Sequence, residues 1–233
     1  MAVDGLDQTP YISSQQWDEA LAAETKLHRL SEDGKRLIID ASHDGYLRQS
    51  AGVLHRRWLV LDKEEDGALV VVIWLTGMGE HSFVQSFHLH PDWQPEIDEY
   101  ESGAWAAILR SRSPLVGTSD SVSSDIGGHL FWWKASGDQG SLRVEPEQGW
   151  QSKTYGSKEQ IPVIRAKGCF TERLGLVTVS LPAGGEEWRV EKVHIDCLCH
   201  EAKVGLRNRF GARRLWMITD QTADTALLDF NQA

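Results

Sequence analysis

Residues 53–90 read VLHRRWLVLDKEEDGALVVVIWLTGMGEHSFVQSFHLH. Val53 to Leu61 and Ala68 to Leu75 are β-branched and aliphatic runs, and Glu65-Asp66-Gly67 between them is a turn signal, which together predict an antiparallel hairpin. Thr76-Gly77-Met78-Gly79 then predicts a second turn, into Ser82 to His90. There Phe83, Phe87 and Leu89 fall on one face, and His88 and His90 on the other. Upstream, Lys35 to His43 alternates Leu37, Ile39 and Ala41 with other residues, so the whole stretch predicts a meander of antiparallel strands.

Beyond this stretch the period-two pattern resumes at His129–Lys134, Leu142–Glu145, Val163–Ala166, Leu174–Leu181, Trp188–His200, Arg213–Thr219 and Ala226–Phe230. Short strands at this density, separated by Gly, Asp and Ser turns, predict an all-β fold: a large antiparallel β-sandwich. A short N-terminal helix is expected after Ser13 or Ser14, where Trp17, Ala20, Leu21 and Leu27 follow at helical spacing. Pro91 to Asp125, with Asp92, Glu96, Asp98, Glu99 and Glu101, is expected to be a solvated connection. No Pro-rich or Ser-rich linker divides the chain, and 233 residues suit one domain spanning 1–233.

The chain holds 24 Lys and Arg against 34 Asp and Glu, a net charge of −10, which argues against nucleic acid as a partner. Arg207, Arg209, Arg213 and Arg214 form the densest run of cations and read as a solvated strand face or turn. The longest apolar run, Leu69 to Leu75, is too short for a membrane span, and the first residues lack the basic and apolar regions of a signal peptide. Cys169, Cys197 and Cys199 are too few for a disulfide framework and are expected as buried free thiols.

Glycine-rich nucleotide loops, His-Glu-x-x-His, Gly-x-Ser-x-Gly and Cys-x-x-Cys are all missing from the sequence. Histidine is the remaining chemical clue. His55, His81, His88 and His90 lie on neighbouring predicted strands or their ends, from which imidazoles converge on a metal such as zinc or simply face solvent. His194, Cys197, Cys199 and His200 look like a zinc set, but alternation divides them between two strand faces, which favours a structural reading. Ten of the 20 aromatic residues are Trp, suited equally to large core contacts and to stacking on sugar rings; Trp132, Trp133 and Trp150 are the candidates for sugar contact.

Several strings, taken in order, resemble one family. They are Val3-Asp4-Gly5-Leu6-Asp7-Gln8, His43-Asp44-Gly45-Tyr46, His55-Arg56-Arg57, Gly77-Met78-Gly79-Glu80-His81 and Phe87-His88-Leu89-His90-Pro91. Gly149-Trp150-Gln151-Ser152, Tyr155-Gly156-Ser157-Lys158 and Thr178-Val179-Ser180-Leu181-Pro182 follow. Over residues 1–182 the chain is similar to the C-terminal β-sandwich of heparinase II/III-like polysaccharide lyases.

The resemblance implies a two-part enzyme, an α-helical toroid followed by the sandwich, that cleaves uronate-containing polysaccharides by β-elimination. A base takes the proton α to the carboxylate, a neighbouring group stabilises the enolate, and an acid assists the leaving oxygen. In the family these roles fall mainly to the toroid. Because Met1 stands close before Asp4-Gly5, the toroid is expected to lie outside this chain, which would leave it inactive alone. A catalytic centre moved into the sandwich would use His43, Tyr46, His81 and Tyr155. The resemblance also implies a structural divalent metal, zinc or calcium, on His55 and His88 with an aspartate between; Ile73 stands where that aspartate is expected, leaving His81 or His90 to supply a nitrogen. No other cofactor is implied. The partners implied are an acidic polysaccharide through the intact enzyme, and the α-toroid or a second copy of the chain. A free-standing carbohydrate-binding or structural module is the alternative function. Family members are often periplasmic or secreted.

Overall fold

The computed structural model describes residues 1–13, 16–19, 22–63, 67–101, 103–111, 126–136, 141–183, 189–208, 210 and 213–219. The chain builds β1 (Ala2–Val3), β2 (Tyr11–Ser13), β3 (Gln16–Trp17), β4 (Thr25–Glu32), β5 (Arg36–His43), β6 (Leu54–Asp62) and β7 (Ala68–His88). There follow β8 (Trp93–Glu101), β9 (Ala104–Ser111), β10 (Ile126–Ser136), β11 (Arg143–Gln151), β12 (Glu159–Pro182), β13 (Arg189–Asp196), β14 (Glu201–Arg207) and β15 (Arg213–Ile218). The main sheet runs β4-β5-β6-β7-β12-β10-β9-β8, with β1 added to β7 and β11 to β12, and every pairing is antiparallel. A second sheet, β13-β14-β15, covers part of it.

Residues 68–75 are apolar throughout because both of their faces are buried. Val71, Ile73 and Leu75 enter one core with Tyr46, Phe83, Trp132, Ile164 and Phe170. Val70, Val72 and Trp74 enter the other, beneath Val190, Val204, Leu206 and Trp216 of the second sheet. Thr76-Gly77-Met78-Gly79 does not reverse the chain as expected. β7 runs straight through it and stays paired with β12 on both sides of an irregularity at Thr171/Arg173. Gly79 at φ 91° and Glu172 at φ 61° mark that place, and extra residues in a ladder bend a strand rather than end it. Leu75 before the bend and Phe83 after it share one core, so the long β7–β12 ribbon folds over its own apolar face.

Three other expectations change. Where the helix was expected, Gln16–Trp17 pairs with Tyr11–Ser13 and Thr25–Glu32 pairs with β5. Leu27, placed on the buried side by helical spacing, is 57% exposed, because cross-strand hydrogen bonding sets the period here; Ser14, Ala20 and Leu21 lie outside the described residues. The described part of the acidic segment is not a connection: residues 93–101 and 104–111 form the edge hairpin β8–β9, while 112–125 lie outside the described residues. Gln94, Glu96 and Asp98 face solvent while Pro95 and Ile97 are half-buried, and charge on an edge strand discourages pairing with another chain. The cysteines are free, but Cys169 and Cys199 are exposed and Cys197 half-buried, because Phe170 takes the inward position beside Cys169, and Cys199 lies in a turn. The expected strand Ala226–Phe230 and the Glu65-Asp66 turn lie outside the described residues, although β6 and β7 pair up to Asp62↔Ala68. Among the described residues no helix is long and apolar enough to cross a membrane.

Candidate functional site

Strands β5 and β6 are in register so that His43 faces His55 directly. Their rings meet edge to face, with centroids 4.5 Å apart and His43 Nε2 2.5 Å from His55 Nδ1. The Gly45 N–H donates to His43 Nδ1 at 3.3 Å, so that nitrogen is an acceptor. A neutral His43 therefore carries its proton on Nε2 and donates it to His55 Nδ1, which leaves the His55 proton on Nε2. His55 Nε2 is buried and has no hydrogen-bond partner. The pair is a one-directional chain of hydrogen bonds that ends in the core.

Tyr46 completes the cluster, its ring 5.4 Å from that of His43 and its hydroxyl donating to the Met1 carbonyl at 2.5 Å. Burial, reinforced by the Arg57 guanidinium, holds the His43 pKa down at about 4, and burial with the charges of His43 and Arg57 holds that of His55 well below the ordinary value. Burial, together with Asp7, pushes the Tyr46 phenol up to about 12. Burial also lowers the pKa of Arg57, whose Nε lacks a partner. Ile73, opposite Arg57 in the ladder, is fully buried and adds hydrocarbon on the same side as these groups. The cluster thus combines two neutral imidazoles, a protonated phenol and one cation.

His81 lies further along β7. Its Nδ1 is 2.8 Å from Asp4 Oδ2 and its Nε2 is 3.1 Å from the Met78 carbonyl oxygen. Asp4 Oδ1 accepts the Ser82 N–H at 2.7 Å. Burial would raise the Asp4 pKa, but the hydrogen bonds from His81 and Ser82 outweigh it and hold the carboxyl below its ordinary value. Val3 is fully buried and pairs with Phe83, while Gln49 donates to the carbonyls of both Asp7 and Gly45. Four of the strings singled out above, Asp4-Gly5, His43-Asp44-Gly45-Tyr46, His55-Arg56-Arg57 and Gly77–His81, therefore meet along one seam. At that seam the segment Met1–Gln8 is fastened to the sheet.

The remaining candidates are elsewhere. Tyr155 is fully exposed near the tip of the β11–β12 hairpin; β12 begins beyond it at Glu159, whereas the part of β12 beside the cluster is near Leu174. His88 and His90 are exposed, and His90 Nδ1 accepts the Asp92 N–H at 3.3 Å. His55 is level with Leu75 on β7, thirteen positions before His88 and on the other side of the bend at Gly79. Among the described residues no three His, Cys, Asp or Glu side chains form a set that could hold a metal ion. Of the Trp candidates, Trp132 is wholly buried and Trp133 half-buried, while Trp150 is 51% exposed with Lys158 Nζ 4.2 Å above its ring. β13 stops at Asp196, whose Oδ1 caps a turn by accepting the Leu198 and Cys199 N–H groups, and the His200 ring lies 5.2 Å from that of Trp74, tilted by 41°.

Sequence reasoning missed Arg57 and Asp4 as members of the seam. Both stood inside quoted strings, but their partners are set by register and by the return of the N-terminal segment, which spacing along the chain does not encode.

The sequence matches the family described as heparinase II/III-like, C-terminal, over residues 1–190. No curated protein matches it. Among solved structures, heparan sulfate lyase HepC from Pedobacter heparinus superposes with a TM-score of 0.59 at 13% identity, over 84% of this chain and 28% of that one. A structure described as heparinase III superposes with a TM-score of 0.54 at 14% identity, over 84% of this chain and 27% of that one. At such identities the likeness is one of fold, and the chain spans little more than a quarter of either enzyme's length.

Proposed function

The chain belongs to the heparinase II/III-like C-terminal family, and from that premise we propose that it is the β-sandwich part of a lyase that cleaves uronate-containing polysaccharide by β-elimination, and that it does not carry out the reaction alone. The supporting observation is the closed state of the histidine–tyrosine cluster. Elimination needs a base free to take a carbon-bound proton and a donor free to receive the leaving oxygen. Both nitrogens of His43 are engaged, by Gly45 and His55, and the Tyr46 hydroxyl is spent on the Met1 carbonyl. These groups have suitable protonation states but no vacancy for substrate. They act as the fastening of the N-terminal segment to the sandwich, and the reacting groups come from a partner half. The exposed Leu27 and Leu30 of β4, at one end of the main sheet, suit the receipt of such a half or of a second copy.

The test is to incubate the purified chain with heparan sulfate and, separately, alginate, and to follow the ultraviolet absorbance of unsaturated uronate ends. No product is expected. Sustained product formation that His43→Ala abolishes would overturn the reading.

Trp150 favours a second reading, a carbohydrate-binding module, because it alone of the three Trp candidates is largely exposed. That reading predicts that Trp150→Ala abolishes retardation in polysaccharide gels, and an unchanged mobility counts against it.

A further inference from the structure

The second sheet carries a surface that lies almost wholly beyond the family match, which ends at residue 190, two residues into β13. The register of β13, β14 and β15 sets Arg189 beside Arg207 and Arg213, and Lys192 beside Gly205 and Leu215. These residues face outward, because Val190, Ala202, Val204, Leu206 and Trp216 supply the buried face. The three strands hold six Lys and Arg against three Asp and Glu, in a chain whose net charge is −10. Glu191 serves both Arg213, at 2.7 Å, and Arg207, at 3.9 Å, and Lys203 pairs with Glu201 at 2.7 Å. Arg189 and Lys192 have no ion-pair partner among the described residues.

Two features of this face work against stability. Like charges directly opposite one another in a ladder repel. A glycine within a strand weakens it and often marks a close approach by a ligand. Here Gly205 sits in the central strand between those cations, and a Cβ built on it would meet nothing nearer than the Lys192 carbonyl oxygen, at 3.6 Å. Gly205 lies on the floor of a cavity of about 500 Å³, lined also by Lys192, His194, Lys203, Arg213 and Leu215, with Glu191, already paired to Arg213, as its one carboxylate. That volume is within the range of small-ligand sites, roughly 300–1,000 Å³.

We propose that this groove binds an acidic oligosaccharide. Carboxylate or sulfate groups pair with Lys192 in the groove and, at its margin, with Arg189 and Arg207, which continue the ladder row of Arg213, and a sugar ring lies on the floor of Gly205 and Leu215. The lining contains no Phe, Tyr or Trp, so it offers nothing for nucleic-acid bases to stack on. The groove faces away from the core that contains Tyr46, because its sheet packs on the other face of the main one. It is an attachment site separate from the histidine seam. The choice of an acidic sugar over other polyanions rests on the reading in the preceding subsection; the groove itself does not.

Affinity electrophoresis of the full chain in gels containing heparan sulfate, neutral dextran or single-stranded DNA tests this. Heparan sulfate is expected to retard the protein, dextran and DNA to have little effect, and retardation to weaken at least tenfold in Lys192→Glu and in Arg207→Glu. Gly205→Leu fills the floor without changing charge and is expected to weaken it too; thermal unfolding of each variant verifies folding, and the two exposed charge reversals carry the test if Gly205→Leu does not fold. No retardation by heparan sulfate, retardation untouched by the charge reversals, or equal retardation by DNA overturns the proposal. Product formation in the elimination assay would refute the preceding reading and leave this binding result unmoved.

Discussion

His43 and His55 make folding sensitive to acid, and the sign follows from their surroundings. The pKa of His43 falls from 6.5 to about 4 on folding, and that of His55 falls well below 6.5. The unfolded chain therefore binds more protons between those limits, so stability is fully present above pH 6.5 and is lost as pH falls toward 4. For His43, which is only partly buried, the loss is at most on the order of 3 kcal/mol, at about 1.4 kcal/mol per pH unit, and solvent screening reduces it. Urea denaturation at a series of pH values should show this decline in the wild type and a shallower one in His43→Gln. Tyr46→Phe removes the hydrogen bond to the Met1 carbonyl and leaves that acceptor unpaired, and is expected to cost about 1–3 kcal/mol in the same assay. At this scale the sequence identified His43, Tyr46, His55 and His81 as chemically notable but not which of them touch. His43 and His55 are joined by an irregular segment, 44–53, so their register depends on a turn that period-two reading does not resolve.

The elements themselves were largely legible where burial imposes a pattern. The double-sided apolar run at 68–75 and the alternation of residues 35–43 both appear in the sheet as expected. The pattern misled where pairing rather than burial sets the structure. The Gly77–Gly79 run bends a continuous strand, and the acidic edge hairpin β8–β9 carries charge because it borders solvent. Contact between the two sheets was not legible at all, since it depends on a glycine. A Cβ on Gly175 of β12 would stand 2.5 Å from Ile195 Cγ2 and 2.6 Å from the Trp74 ring. Gly175→Val is therefore expected to push β13 off the main sheet and cost roughly 1–3 kcal/mol by overpacking. For a chain of this size that is a drop of several degrees, at about 2–4 °C per kcal/mol, in the midpoint of a thermal melt followed by tryptophan fluorescence. An unchanged midpoint would show that the two sheets are not held together at that point.

Across the whole molecule, the surplus of tryptophan belongs mainly to packing. Trp58, Trp74, Trp132 and Trp216 are fully buried, each with an indole nitrogen that lacks a partner, so they serve as hydrocarbon. The charge is uneven: acidic residues line the β8 edge while the β13–β15 face is basic, a contrast that the net value of −10 conceals. Within this frame the histidine seam binds distant parts of the chain into one body, which is why its groups are engaged with each other rather than open to a substrate. That closed state is open to a ¹⁵N NMR pH titration of the histidine side chains. Both rings are expected to stay neutral, with the proton on Nε2, down to about pH 4 for His43 and through the range where free histidine titrates for His55. Titration of either ring near pH 6.5 would contradict it, because it would mean an imidazole open to solvent and free to exchange protons with a substrate.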